Sequence, residues 1–91
     1  MTRDKALMNT LTVFTYLVTH YPNEIINLTQ YYKEMTLSFH CSKMTEQEIE
    51  DLSKQLDSLR IDGSQMSSNR QVSNLDGTEI KTLYLTWDYN E

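Results

Sequence analysis

Residues Glu24–Met35, EIINLTQYYKEM, lie between a long apolar-periodic segment and a strongly capped one. Their reading sets how many helices precede the C-terminal strands. Ile25, Leu28, Tyr32 and Met35 recur at spacings of three and four, with Ile26 and Tyr31 beside them. That is the stripe of an amphipathic helix, and the spacing predicts one over about 23–35. A short strand at Ile25–Leu28 followed by a helix from Thr29 is the alternative.

Upstream, residues 3–21 read as a first helix. Leu7, Leu11, Phe14 and Val18 line its apolar face, widened by Ala6, Val13, Leu17 and Tyr21. Lys5, Asn9, Thr12, Thr15, Tyr16 and Thr19 fall opposite, on a polar and nearly uncharged side. Pro22 ends the helix, because it disfavours the helical region for Tyr21 and lacks a backbone N–H. Downstream, Thr36–Lys43 has no helical period, and Leu37 and Phe39 alternate with Ser38 and His40. It reads as a loop with a short extended piece whose apolar members plug the core.

Met44–Arg60, MTEQEIEDLSKQLDSLR, is the best-formed helix in the chain. Thr45 and Glu48 match a capping box, and Met44 and Ile49 match a hydrophobic staple. Ile49, Leu52, Leu56 and Leu59 form the apolar stripe. Glu46 and Glu48 suit the first turn, and Arg60 suits the last. Glu50 and Lys54 are an i,i+4 pair in the favourable order. Asp62-Gly63 provides the stop.

Asp76-Gly77 then marks a two-residue hairpin turn over about 66–88. Folding there pairs Leu75 with Thr78, Val72 with Lys81, Arg70 with Leu83, Ser68 with Leu85 and Met66 with Trp87. Met66, Val72, Leu83, Leu85 and Trp87 share the face expected to lie on the helices. Gln71, Ser73, Ile80, Thr82, Tyr84 and Thr86 share the face expected to be wet. The predicted architecture is one α+β domain over 1–91: three helices (about 3–21, 23–35, 45–60) and a C-terminal antiparallel β-hairpin.

The chain has 91 residues, 38% of them hydrophobic, and a formal net charge of −5. Periodic apolar residues argue against disorder, and no apolar run is long enough to span a membrane. Thr and Asn break the apolar part of the N-terminus, so it does not read as a signal peptide. The single cysteine, Cys41, gives no internal disulfide, and the cytoplasm is the expected location. Asn27-Leu28-Thr29 is then a chance sequon. Residues 46–62 carry six acids against two bases, while residues 1–45 are nearly balanced. Such a charge pattern suits a basic partner better than a phosphate backbone.

His40-Cys41 is the most reactive-looking pair. No Cys-x-x-Cys or His-x-x-x-His accompanies it, and a half-buried loop thiol is the simpler reading. The helix acids lack both the Asp/Asn alternation of a calcium loop and any sign of a burying cleft. No phosphate-binding glycine loop fits two glycines so placed. The expectation is no enzyme, no cofactor and no metal. Glu46, Glu50 and Asp57 fall on one flank of the capped helix and are the candidate contacts for a basic protein surface. The simpler reading is a solvated face. Tyr16 and Tyr84, two of six tyrosines, are read as outward-facing interface residues.

Three helices followed by a hairpin resemble a winged-helix domain over residues 4–88. Thr45–Arg60 matches the recognition helix and Gln71–Trp87 the wing. The resemblance implies a DNA-binding regulator, but Glu46, Glu48, Glu50, Asp51 and Asp57 would repel phosphate. A winged-helix-like domain with this charge implies protein contacts in place of DNA contacts, or a dimer. In composition the chain also resembles small phage-encoded inhibitors such as anti-CRISPR proteins. The expected function is a small acidic protein-binding module. It would inhibit or modulate a larger partner with a basic surface, such as a nucleic-acid-processing enzyme; the alternative is a winged-helix DNA-binding transcriptional regulator.

Overall fold

The computed structural model describes residues 1–60 and 65–90. The order is helix α1 (Arg3–His20), strands β1 (Ile26–Tyr31) and β2 (Glu34–His40), helix α2 (Glu46–Ser58), then strands β3 (Met66–Leu75) and β4 (Thr78–Asp88). Among the described residues the chain is α+β, with two helices and one four-stranded antiparallel sheet. The expected three helices plus hairpin, and the winged-helix-like arrangement built on them, are not formed.

The correction falls on residues 23–35. Ile25, Ile26, Thr29, Tyr31 and Tyr32 are β-branched or aromatic, and such side chains fit a pleated surface. A period of two divides the apolar positions of the helical stripe between faces, with Leu28 on one and Ile25 and Met35 on the parity of the other. Ile26, Leu28 and Gln30 take one face of β1, and Asn27, Thr29 and Tyr31 the other. The chain reverses at Tyr32-Lys33, since Tyr31 pairs with Glu34. Tyr32 has φ 54, a left-handed conformation that costs a non-glycine residue about 1 kcal/mol. Its carbonyl accepts from Gln30 Nε2 at 2.8 Å and from the Tyr89 hydroxyl at 3.0 Å, which fixes the turn from two directions. Residues read as a loop, Thr36–His40, belong to β2, where Met35, Leu37 and Phe39 are buried.

The sheet order is β1-β2-β4-β3. The C-terminal hairpin has the expected register, Leu75 to Thr78 through Met66 to Trp87. Asp76 and Gly77 both have positive φ, as a two-residue hairpin turn requires. The added element is β2, which pairs with β4 from Glu34–Asp88 to His40–Thr82. Thus β4 is central, with Leu83, Leu85 and Trp87 buried under the helices. Val72 is exposed rather than covered, because β3 is an edge strand and its tip runs beyond β2. Thr82, expected to be wet, is buried.

Helix α2 forms as predicted at its N-terminus. Glu48 N donates to Thr45 Oγ1 at 3.2 Å, and Thr45 N donates to Glu48 Oε1 at 3.0 Å. Ile49, Leu52 and Leu56 face the core, with Met44 packed beside them. The Asp62-Gly63 stop lies outside the described residues.

Helix α1 forms, but it is rotated from the expected orientation. Ala6, Asn9, Thr10, Val13 and Leu17 are buried, whereas Leu7, Leu11 and Val18 stay exposed. Asn9 explains the rotation. Its Oδ1 accepts from Trp87 Nε1 at 2.8 Å, and its Nδ2 donates to the Leu59 carbonyl at 3.1 Å. One side chain so ties α1 to β4 and to the end of α2. The buried Thr10 hydroxyl is satisfied within its own helix by Ala6 O at 2.6 Å.

Replacing Asn9 with leucine takes the acceptor from Trp87 and the donor from Leu59. Asn9→Leu is expected to lower unfolding free energy by about 2–4 kcal/mol, the range for buried polar groups left unpaired. Denaturant titration followed by Trp87 fluorescence measures it.

Candidate functional site

A groove runs between the outer flank of α2 and the inner face of β3. It forms because β3 reaches past the area that α2 covers, so Ser68 and Arg70 have no helix above them. One part is lined by Glu46, Ile49, Glu50 and Arg70, with Leu83 at its floor. The next part is lined by Glu50, Ser53, Lys54, Asp57, Met66 and Ser68. Spacings of four and seven place Glu46, Glu50 and Asp57 on one side of α2, and they stand along one wall of this groove.

Each of these acids has a basic neighbour in the chain. Arg70 bridges the groove from β3 to Glu46. Lys81 Nζ lies 3.4 Å from Glu46 and 3.6 Å from Glu79, and it donates to the Met44 carbonyl at 3.3 Å. Glu46 therefore anchors the start of α2 to β3 and β4. Glu50 lies 3.7 Å from Lys54, and Asp57 lies 3.7 Å from Arg60. Those two pairs are exposed and local, and such pairs contribute at most about 1 kcal/mol. Glu50 and Asp57 can exchange them for an incoming base at little cost.

The tyrosines do not join this groove. Tyr16 is half-buried against α2, in a cleft with Tyr21, Met44 and Leu52, and its ring lies 4.2 Å from that of His20. Tyr84 is half-buried on the opposite, outer face of the sheet, between Ser38 and Asn69. The five predicted contact residues thus divide among three surfaces, and only the three acids share one. Arg70 and Lys81 were missed as site residues. Both have the alternation of β-strand positions, but their pairing with Glu46 arises only when the sheet forms.

The structure separates His40 from Cys41. His40 lies at the end of β2 on its outer-face register, while Cys41 is buried in the core. Burial pushes the Cys41 thiol up, more than Arg70, Lys81 and two backbone hydrogen bonds pull it down. Its Sγ lies 3.7 Å from the Lys81 carbonyl. Among the described residues no cluster of three His, Cys, Asp or Glu side chains could hold a metal ion. No described helix is long and apolar enough to cross a membrane.

No family model and no curated protein matches the chain. Two solved structures are similar to it in part. A point mutant of T. tengcongensis H-NOX is 9% identical with a TM-score of 0.45, over 94% of this chain and 46% of that one. A Cs H-NOX mutant carrying the unnatural amino acid 4-cyano-L-phenylalanine is also 9% identical, with a TM-score of 0.44 and the same coverage. The chain spans less than half the length of these structures.

A pH titration and an alkylation rate test the local chemistry. Glu48 is held below the ordinary glutamate value, first by the Thr45 backbone N–H and then by the Thr45 hydroxyl, against a smaller opposing effect of desolvation. A depressed carboxyl stabilises the fold above its unfolded pKa, and that contribution is lost as pH falls through the folded pKa. The Thr45 amide proton is expected to titrate by NMR with a midpoint below that of unperturbed glutamate. Glu48→Gln should abolish the transition. For Cys41, iodoacetamide is expected to react slowly with the folded chain and rapidly after denaturation, as followed by intact mass.

Proposed function

We propose that this chain is a non-catalytic protein-binding module that holds an extended basic segment of a larger partner in the α2/β3 groove. The reading rests on one observation: the row of acids on α2 stands beside an edge strand whose inner face is uncovered. An edge strand offers unpaired N–H and C=O groups to an extended segment. Residues of an added strand alternate between faces, so every second side chain turns toward α2. Lys or Arg at those positions would reach Glu50 and Asp57. Backbone pairing would supply affinity, and the charges would supply selectivity and speed of encounter. Where the basic segment belongs to a nucleic-acid-processing protein, occupying it would inhibit or modulate that protein.

The surface chemistry supports binding rather than catalysis. The groove acids are solvent-exposed, and the one thiol is buried with its pKa raised. DNA reading receives no such support. The apolar stripe of α2 is buried on the sheet, and its uncovered sides carry acids.

A short fluorescein-labelled peptide with Arg or Lys at alternate positions is the probe. At low salt it is expected to shift the backbone amides of Ser68–Val72 in NMR spectra. Added salt should weaken it, because these charges are exposed. The double variant Glu50→Lys/Asp57→Lys should bind at least about tenfold more weakly, a loss near 1.4 kcal/mol. Glu46 is left in place because reversing it would set three cations together. Absence of any β3 shift at low salt, or unchanged affinity of the double variant, would refute the assignment.

A further inference from the structure

We propose that β1 and the exposed stripe of α1 form a two-fold interface with a second copy of this chain. The surface lies on the opposite edge of the sheet from the α2/β3 groove and does not depend on that groove's function.

The rotation of α1 creates the surface. Asn9 and Tyr16 turn toward α2. Leu7 turns the other way and shares a pocket with Gln30 and Met35, while Leu11 and Val18 stay exposed and Phe14 is half-buried against the core. Leu7, Leu11 and Val18 are 40%, 45% and 42% exposed, and Leu28 on β1 is 40% exposed. All four are large apolar side chains left in the open, and Leu28 sits on the inner face of an edge strand.

Edge strands are ordinarily blunted by proline, lysine, a bulge or inward charge. Ile26–Tyr31 has none of these, and its whole length pairs regularly with β2. An unblunted, uncharged edge is suited to pairing with another strand.

Charge selects a second copy as the occupant. Residues 6–19 and 25–31 contain no charged side chain, although the chain carries −5. Two acidic molecules repel least through their uncharged sides, and this contact keeps the two acidic α2 helices apart. A basic partner would be drawn to α2 instead. Opposed residues in an antiparallel pair share a face. A two-fold axis normal to the sheet keeps both helical layers on one side. The allowed register that places Leu28 opposite Leu28 of the second copy buries the most apolar surface. The product is a continuous eight-stranded sheet with the two α1 stripes facing across the axis.

Sedimentation equilibrium at about 100 μM measures the state, a concentration at which a micromolar dimer is nearly full. The full chain is expected at twice 10.7 kDa. Leu28→Lys puts like charges opposite each other on the axis and should give the monomer mass with an unchanged circular dichroism spectrum. Leu11→Glu, on the exposed helix surface, should do the same and decides the matter if the strand variant unfolds. A monomeric unsubstituted chain would overturn the proposal. So would a dimer that persists in Leu11→Glu, since its interface would lie elsewhere.

Discussion

A single buried amide sets the relation between the two layers. Asn9 is fully buried, accepting from the Trp87 indole and donating to the Leu59 carbonyl. An indole N–H and a helix-end carbonyl cannot be enclosed without partners except at a cost of about 1–3 kcal/mol each. With Asn9 turned inward both are served, and any rotation of the helix that withdrew Asn9 would break both bonds. The apolar stripe of the helix must then follow wherever this orientation sends it. The core receives Ala6, Val13 and Leu17, and the surface receives Leu7, Leu11 and Val18. Polar satisfaction, rather than burial of the largest apolar area, decides how α1 sits.

That balance explains which parts of the fold can be read from the chain. Helix α2 is legible because its signals are local and agree: the cap, the staple and the stripe lie within a few residues of one another. The β3/β4 hairpin is legible for the same reason, through Asp76-Gly77. The β1/β2 hairpin lacks such a marker. Its turn is Tyr32-Lys33, with a tyrosine in a conformation that usually calls for glycine or asparagine, and its support comes from Tyr89, far away in sequence. Ile25, Leu28, Tyr32 and Met35 meanwhile fit a helical period by coincidence. Only the central strand β4, by pairing with β2, resolves the ambiguity in favour of a sheet.

The groove was legible in part, and along the same line. Glu46, Glu50 and Asp57 share a flank because of helix geometry alone, so sequence spacing finds them. Arg70 and Lys81 come from strands that reach Glu46 only after the sheet is assembled. Sequence periodicity places Tyr16 and Tyr84 outward, from the faces of a helix and a lone hairpin. Rotation of α1 moves the first toward α2, and the pairing of β2 with β4 draws the second into the middle of a broad sheet face.

The position of β4 has a consequence for how the chain acquires its fold. It follows every element that it contacts, yet it lies in the middle of the sheet. Asn9 meets Trp87 across 78 positions of sequence. A chain with such distant contacts must close long loops before most of its native pairing can reward the loss of freedom, so folding is slowed by topology. On the ribosome, the first hairpin and both helices emerge with their apolar faces still uncovered. The core is complete only when the β3/β4 hairpin has docked β4 against β2, so the last strand of the chain closes the sheet over residues made long before it.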